Sequence, residues 1–170
     1  MKTRNLIFSL LLFSGLACMA VGQDYSSFDK IQLKEKSDYP KNESQVLECS
    51  NYILKSSLDS ITIDLNRVKT LQFIMRWMEG TPDYTFSLDE PIGDATKSDP
   101  SLFGVYLASM TKFVLENKDK SKDPKEVKYN SFLIFISYCE NTNNKVKPNK
   151  VLKKLIKAKN ENTLREYLKL

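Results

Sequence analysis

The stretch from Leu65 to Met78 constrains the fold more than any other. Leu65, Val68, Leu71, Ile74, Met75 and Met78 recur at the three-to-four residue spacing of one helix face, and Phe73 and Trp77 widen it. The pattern predicts an amphipathic helix from about Ile63 to Glu79. So wide an apolar arc implies more than one packing neighbour. Gly80 is expected at the left-handed position that ends a helix, and Pro82 prevents resumption. Five glycines and six prolines are few for an all-β chain of 170 residues, which would need many tight turns.

Other segments repeat the helical period. A first helix is expected from Glu43 to Ser56, with Val46, Cys49 and Ile53 on one stripe. Asp99-Pro100 and Asp123-Pro124 each supply an N-cap followed by a first-turn proline. The former starts a helix to about Asn117 with Leu102, Tyr106, Met110 and Phe113 inward. Gly104 and Ala108 should admit a close neighbour. The latter adds Glu126 for a capping box and carries the Phe132–Ile136 run, which reads as a central helix. Pro148 begins a fifth helix with Val151, Leu152, Leu155 and Ile156 inward, and Thr163 caps a short last one. The fold class is all-α: about six helices packed as αα-hairpins in one small domain over residues 42–170, as a bundle or short repeat-like array.

The first residues point to export. Lys2 and Arg4 precede an apolar run from Leu6 to Phe13, then small residues to Gly22. This is the pattern of a signal peptide over residues 1–22. The run falls short of the about 20 apolar residues a bilayer span needs. Cleavage after Gly22 would release a soluble periplasmic or secreted protein. Gly15-Leu16-Ala17-Cys18 is a degenerate lipobox, and lipid on Cys18 would instead anchor a lipoprotein. Residues 23–41 read as a flexible leader.

Composition narrows the chemistry. There is no histidine, which removes Ser-His-Asp and Cys-His nucleophile systems and His-ligated zinc. No Gly-rich phosphate cradle is present. Cys49 and Cys139 could close a disulfide, stabilising by about 4 kcal/mol, or be two buried thiols in the core. No metal ligand, cofactor or catalytic residue is singled out. A formal net charge of +5, less once Lys2 and Arg4 are removed, is no nucleic-acid signature.

Three constellations stay open. Carboxylate chemistry of the glycosidase kind would draw on Glu79, Asp83, Asp89 and Glu90 beside aromatics. Trp77, Tyr84 and Phe86, with Glu79 and Asp83, would line a groove for a peptide, glycan or partner protein, or else fill the core. Tyr84, Phe86 and Leu88 alternate with polar residues, which reads as an extended loop because no partner strand is visible. Lys150, Lys153, Lys154 and Lys157 make a basic face on the helix at 148–159, suited to anionic lipid or simply to water.

Three stretches resemble a family of short exported bacterial helical proteins with no assigned activity. They are the run from Phe73 to Tyr84, the run from Tyr106 to Lys112, and Tyr138-Cys139-Glu140-Asn141 continuing to Asn144. The resemblance implies one helical domain in the envelope and carries over no site residue. The expectation is a non-catalytic exported binding or structural domain. A carboxylate-based hydrolase of envelope glycans and a lipid-anchored envelope component are the alternatives.

Overall fold

The computed structural model describes residues 25–58 and 64–170. The expected signal peptide, Cys18 and the start of the expected leader lie outside these residues. Among the described residues every regular element is helical. After a 3-10 turn at Tyr25–Lys30 come α1 (Asp38–Lys41), α2 (Glu43–Lys55), α3 (Leu65–Gly80), α4 (Glu90–Thr96), α5 (Ser101–Glu116) and α6 (Pro124–Glu140). A 3-10 turn at Thr142–Asn144 leads to α7 (Lys150–Asn160) and α8 (Leu164–Tyr167). The six expected helices are α2, α3 and α5–α8. The short α1 and α4 are additions.

Two antiparallel hairpins form the body. At one end of the α2–α3 pair, the Arg67 guanidinium donates to the carbonyls of Ile53 and Ser56, and the Tyr52 hydroxyl donates to Asp64. Arg67 thereby satisfies carbonyls that the C-terminus of α2 leaves unpaired. Asp64 in turn caps α3, accepting from the Arg67 amide at 3.1 Å. In the α5–α6 pair, Tyr106 packs on Phe132 and Phe135, with centroids 5.0 and 5.8 Å apart.

The centre belongs to α5 rather than to α6. Twelve of its sixteen residues are buried, from Leu102 to Leu115, and it packs against α2, α3, α4 and α6. The Phe132–Ile136 run looked more central because it is unbroken, yet Leu133 and Ile134 are only half-buried. The small residues of α5 account for its position. A Cβ on Gly104 would lie 2.9 Å from Leu71, so α3 comes close there as expected. Ser109 and Thr111 return their hydroxyls to carbonyls one turn back, which lets polar residues sit inside.

Three expectations need correction. First, residues 25–41 are not a loose leader. Tyr25 and Phe28 are buried, and Phe28 stacks on Phe73 with centroids 5.2 Å apart. Second, the buried face of α3 is Thr70, Phe73, Ile74 and Trp77. Leu65, Val68 and Met75, on the expected core stripe, are 65%, 43% and 41% exposed. Third, Gly80 is the last helical residue and has no positive φ. The helix ends because Thr81 turns to an extended conformation.

The capping box is only half made. Asp123 accepts from the Lys125 and Glu126 amides, but the Glu126 carboxylate turns to Arg165 and Asn130. Asn149, not Pro148, caps the fifth expected helix by accepting from the Leu152 amide at 2.9 Å.

Candidate functional site

The chain between α3 and α4 bends at Pro82 and Asp83 and then runs without helix or turn from Tyr84 to Asp89, where the backbone is extended. Its side chains alternate, as the period of an extended chain requires. Asp83, Thr85, Ser87 and Asp89 face the start of α6 and the loop before it. Tyr84, Phe86 and Leu88 face the α3 side. The segment is therefore a ridge between two grooves of opposite character.

The polar groove joins hollows of about 560 and 200 Å³ that share Thr85, Ser87 and Pro124. Lys122 and Lys125 line its far wall and have no ion-pair partner among the described residues. At the inner end Lys128 pairs with Asp89 at 3.1 Å and donates to the Leu168 carbonyl at 3.1 Å. Tyr106 is fully buried, and its hydroxyl has no hydrogen-bond partner. Burial first, and then the charge of Asp89, push that phenol well above its ordinary range. It stays a neutral donor rather than a base.

The apolar hollow is about 210 Å³ and is lined by Met75, Met78, Glu79, Phe86, Leu88, Phe103 and Leu107. It exists because the α3 stripe turns partly outward. Leu88, at 56% exposure, extends it onto the ridge.

The ridge also has a backbone free of protein partners among the described residues. The amides and carbonyls of Tyr84 to Leu88 make no hydrogen bond within the described residues. Thr85, Ser87 and Leu88 are exposed. Such an open extended segment presents the same donors and acceptors as the edge strand of a sheet.

The five residues expected to share a groove are divided. Trp77 has no exposed surface, and its ring nitrogen donates to the Tyr39 carbonyl at 3.2 Å. It is core, with Tyr84 and Phe86 packed over it at 5.5 and 6.0 Å. The Tyr84 hydroxyl donates to Glu43 at 3.0 Å, and burial, then Glu43, raise its pKa. Phe86 and Glu79 line the apolar hollow, whereas Asp83 lines the polar groove. Glu79 and Asp83 thus do not converge. Asp83 and Asp89 line different hollows of the polar groove, six residues apart in the chain. Paired glycosidase carboxyls share one site, about 5–10 Å apart.

The other candidates are also placed. Lys150, Lys153, Lys154 and Lys157 are exposed on α7, and Lys157 meets Glu161 at 3.7 Å. Leu152, Leu155 and Ala158 on the same helix are buried in the domain. The apolar face that a membrane-lying helix would insert is already occupied. No helix among the described residues is long and apolar enough to cross a membrane.

Cys49 and Cys139 are both buried and are not bonded to each other in this structure. Burial is the main cause that raises both, Cys139 to about 12. They are unreactive in the folded protein. Among the described residues no group of three or more His, Cys, Asp or Glu could hold a metal ion.

Sequence reasoning saw the alternation after Pro82 but missed Lys122, Lys125, Ser87 and Asp89 as groove residues. The polar half of the alternation was the available signal. What faces it comes from a loop some forty residues away. Comparison with family models, with curated proteins and with solved structures finds no match.

Proposed function

We propose that this chain is an exported, non-catalytic binding domain of the bacterial periplasm or envelope, which takes its ligand along the Pro82–Asp89 ridge. Export is supported by Lys2, Arg4, the Leu6-to-Phe13 run and the small residues after it. The observation that carries binding is the backbone of Tyr84 to Leu88, without hydrogen bonds among the described residues, beside Lys122 and Lys125, which have no ion-pair partner among them. Unpaired polar groups next to a concave surface are what a ligand site offers before it is filled. The carboxylate-hydrolase reading is weaker, because Glu79, Asp83 and Asp89 each line a different hollow and no two of them share one.

Two measurements test this. The intact mass of the protein from its native host should start at Gln23, or at Cys18 with lipid added. A mass retaining residues 1–22 refutes export. Amide shifts should then be followed by NMR during titration with fractionated envelope peptides and glycans. Saturable shifts at residues 82–89 and 122–128 are expected. Shifts clustered elsewhere, or turnover of a glycan, would overturn the reading.

A further inference from the structure

The geometry points to a specific occupant of this ridge: we propose that it pairs with an extended peptide in which apolar and acidic side chains alternate. The inference rests on the ridge being the ligand site, and it adds the ligand's class and register. The amides and carbonyls of Tyr84 to Leu88 make no hydrogen bond among the described residues, and a peptide lying alongside would pair, as an added strand, with those of every second residue.

The side chains of an added strand follow the ridge's own alternation, since residues opposite one another project to the same side. Positions opposite Thr85 and Ser87 fall over the groove with Lys122 and Lys125. Neither lysine has an ion-pair partner among the described residues; Asp89 is offset by Lys128 and Asp83 stands at the other end, so the groove keeps a surplus of positive charge and acidic side chains fit beside Lys122 and Lys125. Positions opposite Phe86 and Leu88 fall over the hollow made with Met75, Phe103 and Leu107, which is almost wholly apolar. Burying an apolar side chain there covers Leu88 and Met75, two of the most exposed apolar residues of the domain. Backbone pairing supplies affinity, and the two unlike grooves supply selectivity.

The test uses end-blocked synthetic peptides alternating Leu with Glu, followed by fluorescence anisotropy at neutral pH and low salt. The Leu/Glu peptide should bind and shift the amides of residues 84–88. A Leu/Lys peptide should bind about tenfold more weakly or worse. The Leu/Glu peptide N-methylated at every residue should lose a similar factor, because neither of its edges then carries donors for the ridge. The double variant Lys122→Glu with Lys125→Glu should reverse the charge preference. Both lysines are exposed, so the melting temperature should hold. Leu88→Ser should weaken binding without changing that preference.

Equal affinity for the N-methylated peptide, indifference to charge, or no peptide binding overturns the proposal. Concentration-dependent self-association through residues 84–88 would do so too, by making a second copy the occupant. If a glycan instead shifts residues 82–89 and 122–128, the peptide inference fails while the binding-domain reading stands.

Discussion

A Cβ built on Gly80 would lie 1.9 Å from the Tyr39 hydroxyl oxygen and 2.5 Å from the ring carbon bearing it. Tyr39 is not free to swing away. Its hydroxyl donates to the Leu33 carbonyl at 3.2 Å, and its own carbonyl accepts from Trp77. Gly80 is therefore a matter of space, not of backbone freedom. Gly80→Ala should destabilise the domain by about 1–3 kcal/mol through overpacking. This holds although alanine is the better helix former by about 1 kcal/mol. Urea melting checks it, and a more stable variant would refute the tight approach. The same limit explains the aromatic cluster. Spacing showed that Trp77, Tyr84 and Phe86 belong together, but not that Tyr84 and Phe86 would cover Trp77 completely. Spacing says which side chains share a face, not what lies over them.

Among the elements, the long helices were legible and the short ones were not. Asp99-Pro100 and Asp123-Pro124 marked the starts of α5 and α6 to within a residue or two. At four and seven residues, α1 and α4 are too brief for a 3.6-residue period to register. Residues 25–41 looked unpacked because their apolar positions are sparse. What holds them comes from elsewhere: the Arg76 guanidinium donates to the Phe28 and Ile31 carbonyls at 2.8 and 3.0 Å and lies 5.4 Å above the Phe73 ring. Arg76→Ala should loosen this segment from α3 at a cost of about 2 kcal/mol. Limited proteolysis followed by mass spectrometry should then show early cuts between residues 25 and 35, with the helical body intact. A digestion pattern identical to the unsubstituted protein's would show that Tyr25 and Phe28 hold the segment unaided. The face of α3 was misjudged for a related reason. Its apolar arc is too wide for periodicity alone to say which half points inward.

At the scale of the molecule, two carboxylates tie the fold to pH. The Glu35 amide, and then that of Lys34, hold Asp38 below its ordinary range. The hydrogen bond from Arg165 does the same for Glu126, linking α8 to the start of α6. A carboxyl with a lower pKa folded than unfolded stabilises above its unfolded pKa, near 4 for both types. That stability is lost as pH falls through the folded value. The melting temperature should thus decline below about pH 4. Glu126→Gln should start from a lower plateau and decline less steeply; an unchanged profile would separate Glu126 from acid sensitivity. The packing of α5 sets a different property of the whole. It lies against α2, α3, α4 and α6, and most of its length has no side open to water. None of those four helices can peel away without baring it. Its amides should therefore be the last to trade hydrogen for deuterium, and their protection should correspond to one common opening free energy. That shared value is a gauge that moves only when the entire domain comes apart.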